Sequence, residues 1–179
     1  ERLVVEQELD REEYRRRYYV HSNYGRRFND GLSRLVAYRC ARRSNTNVQL
    51  AVADNGFTVS MPLNRKVDVV DVIESIEPAA AGPDLRAALD GTDLLKRYFR
   101  IDATRSLMIL KRYKGYEKSA AEQQVSSEML LSFAEELEDF AVIEETYREI
   151  TEDVLDLRGI REVLGAIQRG EVTVTGYEV

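Results

Sequence analysis

Short β-prone runs crowd the first third of the chain, whereas apolar residues at helical spacing fill most of the remaining two thirds, and this separation limits the fold most strongly. Leu3-Val4-Val5 and Tyr18-Tyr19-Val20 are two such runs, and Val172–Thr175 is a late one. Early strands followed by helices are typical of an α+β fold rather than of regular βαβ alternation. We therefore expect a small, mostly antiparallel sheet from the N-terminal half, a helical C-terminal half and one returning C-terminal strand.

Asp54-Asn55-Gly56 is the strongest turn signal in the sequence. It separates two alternating runs, Val48–Ala53 and Phe57–Met61. Asn-Gly between such runs is typical of a tight hairpin, because glycine adopts a positive φ at little cost. The charged stretch Asp10–Arg17 fits either one helical turn or a strand with exposed arginines.

Apolar spacing predicts an amphipathic helix over residues 26–43. Its candidate core positions are Phe28, Leu32, Leu35, Val36 and Cys40. A short helix over Val67–Ile76 and a brief one over Asp84–Leu89 should follow. Between them, the run Pro78–Pro83 has the composition of a loop.

The helical half contains four further predicted elements. Thr92 or Asp93 can cap a helix that runs to about Tyr113, where Gly115 would stop it. The candidate core positions of this helix are Leu94, Leu95, Tyr98, Phe99 and Leu107. Ser119-x-x-Glu122 has the form of a capping box for a helix through Leu137. The remaining helices are predicted over residues 141–154 and 157–169.

A chain of 179 residues, 44% of them hydrophobic, can bury a sizeable core. We expect one domain over 1–179, with a sheet-rich region over residues 1–66, a helical region over residues 67–171 and a final strand over residues 172–175. The chain begins at Glu1 without a methionine or an apolar signal segment, so we expect it to be a piece of a longer protein. It has no apolar run of eighteen residues, and its single cysteine fits a reducing compartment, so we expect a cytoplasmic location.

The net charge of −6 is divided unevenly along the chain. From Ala120 onward there are four arginines, no lysine and fifteen acids, whereas the preceding residues hold 22 basic and 17 acidic groups. Such asymmetry can separate a surface that faces a polyanion from one that faces solvent. The alternative is that acid-rich helices simply solubilise one side of the protein.

Common catalytic signatures are absent from the sequence. It contains no G-x-x-x-x-G-K-[ST] loop, no strand-linked G-x-G-x-x-G, no G-x-S-x-G elbow and no H-E-x-x-H pair. Nucleophilic catalysis assisted by histidine would depend on His21 alone, and a structural role for His21 is the better interpretation. Paired carboxylates such as Glu144-Glu145 and Glu152-Asp153 lie in an acid-rich helical region, where a solvated face explains them better than acid/base work. This chain alone is therefore predicted to be inactive as an enzyme.

Basic residues interleaved with aromatic ones point to nucleic acid. Guanidinium groups pair with phosphates in a bidentate manner, and aromatic faces accept stacked bases. The candidate nucleic-acid-binding residues are Arg26, Arg27, Lys96, Arg97, Arg100, Arg105, Lys111, Arg112 and Lys114. The interleaved aromatic residues are Tyr98, Phe99, Tyr113 and Tyr116. Two alternatives remain: the basic clusters pair with the acidic helices, and Tyr98 and Phe99 belong to the core.

Several ordered blocks of the sequence resemble a known family. The first runs from Tyr19 to Asn29 (YVHSNYGRRFN) and leads to Asp54-Asn55-Gly56-Phe57. The middle block comprises Tyr98-Phe99-Arg100, Ala103–Leu110, Gly115 and Gln123-Gln124. The last block comprises Glu145–Glu149, Glu152–Asp156, Ile167 and Gly170. Together they are similar to the DEAD/H-associated domain of Lhr (large helicase-related) ATP-dependent helicases, over roughly residues 15–175, with Ala141 standing where that family has a helix-opening proline.

This resemblance implies a parent protein that is a superfamily-2 translocase moving 3′ to 5′ along single-stranded DNA and unwinding DNA or RNA–DNA duplexes. Two RecA-like lobes would bind ATP and Mg²⁺, a winged-helix domain would follow, and this accessory domain would complete the ring around the strand. No cofactor is implied for the chain itself. Its partners would be single-stranded DNA or an RNA–DNA hybrid and the winged-helix and RecA-like domains of the same polypeptide, with no membrane; DNA repair is the associated process.

The resemblance also singles out Arg26, Asn29, Arg100 and Arg105 as the polar positions that match its motifs. They could bind phosphates of the strand, or they could hold the fold and its neighbours together through buried pairs. We favour the first role for the exposed arginines and the second for Asn29. A scaffold that contacts neighbouring domains and never touches nucleic acid is the alternative function.

Overall fold

The structure is a computed structural model that describes residues 2–137 and 140–179, except for the side chain of Tyr113. The chain forms two compact units. The sheet unit comprises Glu1–Ala88 and Val154–Val179, and the helical unit comprises Leu89–Asp153. The assignment of one domain over 1–179 stays a prediction.

A five-stranded mixed sheet organises the sheet unit, in the order β3-β4-β2-β1-β7. Its strands are β1 (Arg2–Asp10), β2 (Arg15–His21), β3 (Gln49–Ala53), β4 (Gly56–Pro62) and β7 (Thr173–Glu178). All neighbours are antiparallel except β1 and β7, which run parallel with Val4 opposite Thr175. The predicted α+β class, with its returning C-terminal strand, is confirmed. The charged stretch left undecided forms the end of β1, a turn and the start of β2.

The predicted hairpin at Asp54-Asn55-Gly56 is present between β3 and β4, with Ala53 paired to Gly56. Gly56 opens β4 rather than occupying the turn. A Cβ at this position would collide with the carbonyl oxygen of Val20 on β2. Glycine is therefore required here for the close approach of two strands as much as for its turn propensity.

Two helices contact the sheet, α1 (Arg26–Ser44) and α2 (Val69–Glu74), and a third helix, α7 (Leu157–Gln168), packs against both of them. The predicted core face of α1 is confirmed, since Phe28, Leu32, Leu35, Val36 and Cys40 are all buried. Asn45 ends α1 in the left-handed conformation, as expected from the turn-forming residues after Arg43.

The predicted loop Pro78–Pro83 is wrong, because α3 spans Pro78–Leu89. Proline suits the first helical turn, where no backbone N–H is needed, and the following alanines are strong helix formers. Ala81, Leu85 and Leu89 recur every four residues and are fully buried. This apolar stripe outweighs the loop-like local composition.

The helical unit begins with α4 (Asp93–Arg105), which Thr92 caps by accepting a hydrogen bond from the Leu95 amide. The predicted extension of this helix to Tyr113 is wrong. Leu107 adopts a φ of +59° and is exposed rather than part of the core, and the chain then forms a small hairpin of β5 (Arg112–Tyr113) and β6 (Tyr116–Glu117). Gly115, with a φ of +86°, lies in the turn of this hairpin instead of stopping a helix.

The predicted capping box is confirmed at the start of α5 (Ala120–Glu136), where the side chains of Ser119 and Glu122 each bond the other's backbone. The segment predicted as a helix over 141–154 is α6 (Ala141–Arg148) followed by a π-helical turn, Glu149–Val154. The core of the helical unit includes Leu95, Phe99, Leu131 and Ile143.

Candidate nucleic-acid interface

Three of the predicted basic residues meet in a cleft of about 340 Å³ between α4 and α5, which we call the α4–α5 cleft. Its lining residues are Asp93, Lys96, Arg97, Arg100, Gln124, Ser127 and Glu128. The three cations share one face of α4, because residues at i, i+3, i+4 and i+7 lie together on a helix. The cleft therefore combines three cations, an amide and a hydroxyl with two acids at its rim.

This arrangement suits an anion that carries several oxygen acceptors. The guanidinium groups of Arg97 and Arg100 can donate paired N–H bonds to a phosphate, and Lys96 adds a point charge. Arg97 also lies against the ring of Tyr98, with its Cζ 5.4 Å from the ring centroid, and this contact orients its side chain. Ser127 is buried and donates its hydroxyl to the carbonyl oxygen of Gln124, so the floor of the cleft is fixed by α5.

Arg105 does not join this cleft. Its Nη1 atom lies 3.4 Å from Oδ1 of Asp102 and 3.8 Å from Oε1 of Glu149, so it bridges two carboxylates. Asp102 is buried, and its Oδ2 accepts a hydrogen bond from Thr146 at 2.9 Å. Burial raises the pKa of Glu149, and the neighbouring carboxylate of Asp102 raises it further. The surroundings of Arg105 favour an ion pair inside the helical unit over a phosphate contact.

Lys111, Arg112 and Lys114 lie on the β5–β6 hairpin and are exposed. Arg112 pairs with Glu117 across the two strands, with 3.1 Å between Nη2 and Oε2. Exposed pairs of this kind contribute little to stability, so the guanidinium stays available to another anion. These three residues form a basic patch on the same unit as the α4–α5 cleft.

Arg26 and Arg27 open α1 in the sheet unit, and both are exposed. Arg26 approaches Asp54 of the β3–β4 turn at 3.5 Å. The neighbouring Asn29 has the structural role that we favoured. Its Nδ2 faces the carbonyl oxygens of Ser22, Ala53 and Asp54 at 3.4, 3.2 and 3.0 Å, which ties the hairpin to α1.

The predicted aromatic residues divide between core and surface. Phe99 is fully buried and Tyr98 is half-buried, which confirms the core interpretation for Phe99. Tyr116 is exposed beside the hairpin, and its hydroxyl donates to Glu122. The side chain of Tyr113 lies outside the described residues.

The single histidine and the single cysteine of the chain differ in their exposure to solvent. His21 is exposed, with its Nε2 3.0 Å from Oε2 of Glu6 on the neighbouring strand. Cys40 is buried, and burial raises the pKa of its thiol to about 12, so the thiol stays protonated at neutral pH. Within the described ranges, no three His, Cys, Asp or Glu side chains gather closely enough to hold a metal ion.

Sequence reasoning missed the contribution of α5 to the site. Gln124 and Ser127 complete the α4–α5 cleft, and Phe133 and Met129 are exposed further along the same helix. The capping box at Ser119 fixes where α5 begins and hence the direction of each side chain. It is the one sequence signal from which the position of Gln124 and Ser127 follows.

A search of protein families matches the model described as DEAD/H associated to residues 1–179. The chain belongs to this family. Among curated relatives of this DEAD/H-associated chain, the ATP-dependent helicase Lhr-Core of Sulfolobus acidocaldarius is 36% identical over 174 residues, and that of Methanothermobacter thermautotrophicus is 43% identical over 155 residues. These alignments cover 97% and 86% of the chain.

A solved structure supports the same assignment. The helicase Lhr of Mycobacterium smegmatis, bound to single-stranded DNA and AMP-PNP, matches with a TM-score of 0.84 and 25% identity over 99% of the chain. The DEAD/H-associated chain spans only 20% and 18% of the two curated relatives and 22% of this structure. In the portion of the chain that the structure describes, we find no helix with the length and apolar character of a membrane span.

Proposed function

We propose that this DEAD/H-associated chain is an accessory domain of an Lhr-type ATP-dependent helicase and that it contacts single-stranded nucleic acid through the α4–α5 cleft. The grouping of Lys96, Arg97 and Arg100 on one wall of that cleft carries the proposal. The basic patch of the β5–β6 hairpin would extend the contact, and Arg26 and Arg27 of the sheet unit would make a separate one. The single-stranded DNA bound by the M. smegmatis relative supports this choice of ligand.

The wider role is a proposal that the resemblance to Lhr helicases supports. We propose that the parent protein moves 3′ to 5′ along DNA, that ATP and Mg²⁺ bind to its RecA-like domains, and that a winged-helix domain lies beside this one. The accessory domain would then help to form the channel for the strand. An RNA–DNA hybrid as substrate, DNA repair as the process and the cytoplasm as the location belong to the same proposal. The ATP dependence and the polarity can be tested on the purified full-length protein. The assay measures DNA-dependent ATP hydrolysis and the displacement of a strand from each end of a duplex.

Affinity for a fluorescent oligothymidine, measured by anisotropy at several salt concentrations, tests the cleft. The three cations of the cleft should contribute about −2 to the slope of the logarithm of the association constant against the logarithm of the salt concentration. The double variant Lys96→Gln, Arg100→Gln should weaken binding at low salt and reduce the magnitude of that slope by about 1.4. Since these side chains are not fully buried, the melting temperature should change little.

Arg158→Gln provides the matched control, because Arg158 is an exposed arginine of α7 whose Nε lies 3.3 Å from Glu162. This variant loses one positive charge without touching the cleft, so it should leave the affinity and the slope nearly unchanged. Equal weakening by the cleft variant and by Arg158→Gln would contradict a contact at the cleft. Binding that is absent or insensitive to salt would contradict direct contact with nucleic acid.

A scaffold that contacts neighbouring domains is the second candidate function. The observation in its favour is that Arg105, which matches a family motif, bridges Asp102 and Glu149 instead of facing outward alone. The double charge reversal Arg100→Glu, Lys111→Glu separates the two functions. Weaker DNA binding with unchanged melting supports the nucleic-acid contact, whereas lower stability with unchanged DNA binding supports the scaffold.

A further inference from the structure

A groove of about 610 Å³ lies between the segment 108–118 and α5. We call it the apolar groove. Its principal lining residues are Met108, Leu110, Tyr116, Lys118, Met129 and Phe133. Tyr116, Met129 and Phe133 are 59%, 61% and 62% exposed. Large apolar side chains that are clustered and exposed in this way mark an interaction site rather than ordinary surface.

The groove and the α4–α5 cleft lie on the two borders of the exposed face of α5. An α-helix turns by about 100° per residue. The angular position on α5 therefore differs by about half a turn between the cleft residue Gln124 and the groove residue Phe133. Between them the helix exposes Val125, Ser132 and, at its last residue, Glu136. A ligand lying across this face of α5 would therefore reach both sites.

Charges on the 111–118 side of the groove favour a ligand with phosphates, whereas α5 contributes acids such as Glu122 and Glu136 and no basic residue. Lys118 lies in its wall, and the stretch 111–118 contains four basic residues against Glu117 alone, which pairs with Arg112. A purely apolar partner would gain nothing from this patch, whereas a nucleic-acid strand presents bases and phosphates side by side. The rings of Tyr116 and Phe133 offer stacking surfaces, and methionine sulfur makes favourable contacts with aromatic rings.

We propose that the apolar groove binds unpaired bases of the strand whose phosphates are held in the α4–α5 cleft. This inference rests on the proposed function and adds to it a base-contact site at Tyr116 and Phe133. A duplex keeps its bases stacked inside, so the groove makes the domain selective for single strands. Base stacking on aromatic side chains tolerates every sequence, so this selectivity does not depend on sequence.

The test compares an oligothymidine with an oligonucleotide of equal length that carries abasic sites in place of the bases. Both have the same phosphates, so the difference between their affinities measures the contribution of the bases. Phe133→Ala should weaken binding of the oligothymidine at least about five-fold and leave binding of the abasic strand unchanged. Phe133→Tyr keeps the ring and should restore the affinity.

Tyr14→Ala is the matched control, because Tyr14 is a comparably exposed aromatic residue of the turn between β1 and β2 and does not line the groove. It should leave both affinities unchanged. Equal affinities of the wild-type chain for the two strands would overturn the base-contact site. The phosphate contact would still hold if the double variant Lys96→Gln, Arg100→Gln weakened the binding of both strands. Failure of both strands to bind would overturn the proposed function together with this inference.

The competing occupant of the groove is a second protein surface. Analytical ultracentrifugation of the 179-residue chain should show a monomer in the absence of DNA. A dimer that Phe133→Ala dissociates, together with unchanged DNA binding, would overturn the inference and assign the groove to contacts between copies of this chain.

Discussion

The hydroxyl oxygen of Thr146 lies 2.9 Å from Oδ2 of Asp102, so a hydrogen bond joins α6 to α4 inside the helical unit. Both residues are buried. A buried carboxylate that loses one of its hydrogen-bond donors keeps its desolvation cost with less compensation. This pair therefore holds the helix that carries the cleft cations in its position against α6.

Thr146→Val removes the donor and keeps the branched shape of the side chain. We expect the free energy of unfolding to fall by about 1–3 kcal/mol, because Asp102 is left without that partner. Urea denaturation followed by circular dichroism measures this change. Thr104→Val is the control, since the Thr104 hydroxyl donates to the carbonyl oxygen of Arg100 in its own helix, the same kind of contact that the Thr146 hydroxyl makes with Val142. An effect of Thr104→Val as large as that of Thr146→Val would contradict a special role for the Asp102 contact.

Glu149 gives the helical unit a predictable pH dependence. Burial and the carboxylate of Asp102 raise the pKa of Glu149 above its ordinary value of 4.5. Folded Glu149 therefore binds its proton more tightly than the unfolded chain does, and the free energy of unfolding falls as the pH rises through the raised pKa. Below the ordinary value both states are protonated, and this contribution is fully present.

Glu149→Gln tests the sign of this effect, because the amide stays neutral at every pH. The variant should gain stability relative to the wild type as the pH rises above about 4.5, and the difference should be constant at lower pH. Urea denaturation at a series of pH values from acid to neutral measures it. A difference that is constant over the whole series would contradict the raised pKa.

The elements of the fold that were predicted correctly depend on neighbouring residues along the chain. The hairpin at Asn55-Gly56, helix α1 and the capping box at Ser119 are all specified within a few residues. The prediction over Pro78–Pro83 failed because two prolines and a glycine outweighed the buried stripe of α3, which appears only over a longer window. The end of α4 was missed because no strong breaker precedes Leu107.

The sequence predicted which basic residues are candidates for the site, but not which of them lie together in the structure. Lys96, Arg97 and Arg100 share a helix face, whereas Arg105 lies five residues beyond Arg100 and hence about 140° around the helix. Sequence clustering cannot separate these residues until the helix and its ends are known. Phe133 was missed because an apolar residue in an amphipathic helix is normally assigned to the core.

Asn29 is expected to be sensitive to a change of a single atom. Asn29→Asp would replace the Nδ2 donor with an acceptor that faces three carbonyl oxygens in a buried site. We expect a loss of about 2–4 kcal/mol of unfolding free energy, because a buried charge gains no partner there. Asn47→Asp, at an exposed position before β3, is the control and should be neutral within about 0.5 kcal/mol. Similar stabilities of the two variants would contradict the role assigned to Asn29.

Gly31 and Gly165 form a second matched pair within the sheet unit. A Cβ at Gly31 of α1 would lie 2.6 Å from Cδ1 of Ile160 and would also collide with the carbonyl oxygen of Leu155, so Gly31→Ala must push α1 away from the start of α7. We expect this variant to lose about 1–3 kcal/mol of unfolding free energy. A Cβ at Gly165 would meet only the flexible end of Arg169 at 3.1 Å and Pro78 at 3.9 Å, and alanine is the better helix former, so Gly165→Ala should be neutral or stabilise by up to about 1 kcal/mol. Thermal unfolding of the two variants side by side measures both effects. If Gly31→Ala left the stability unchanged, α1 and the start of α7 would not pack as closely as the structure has them.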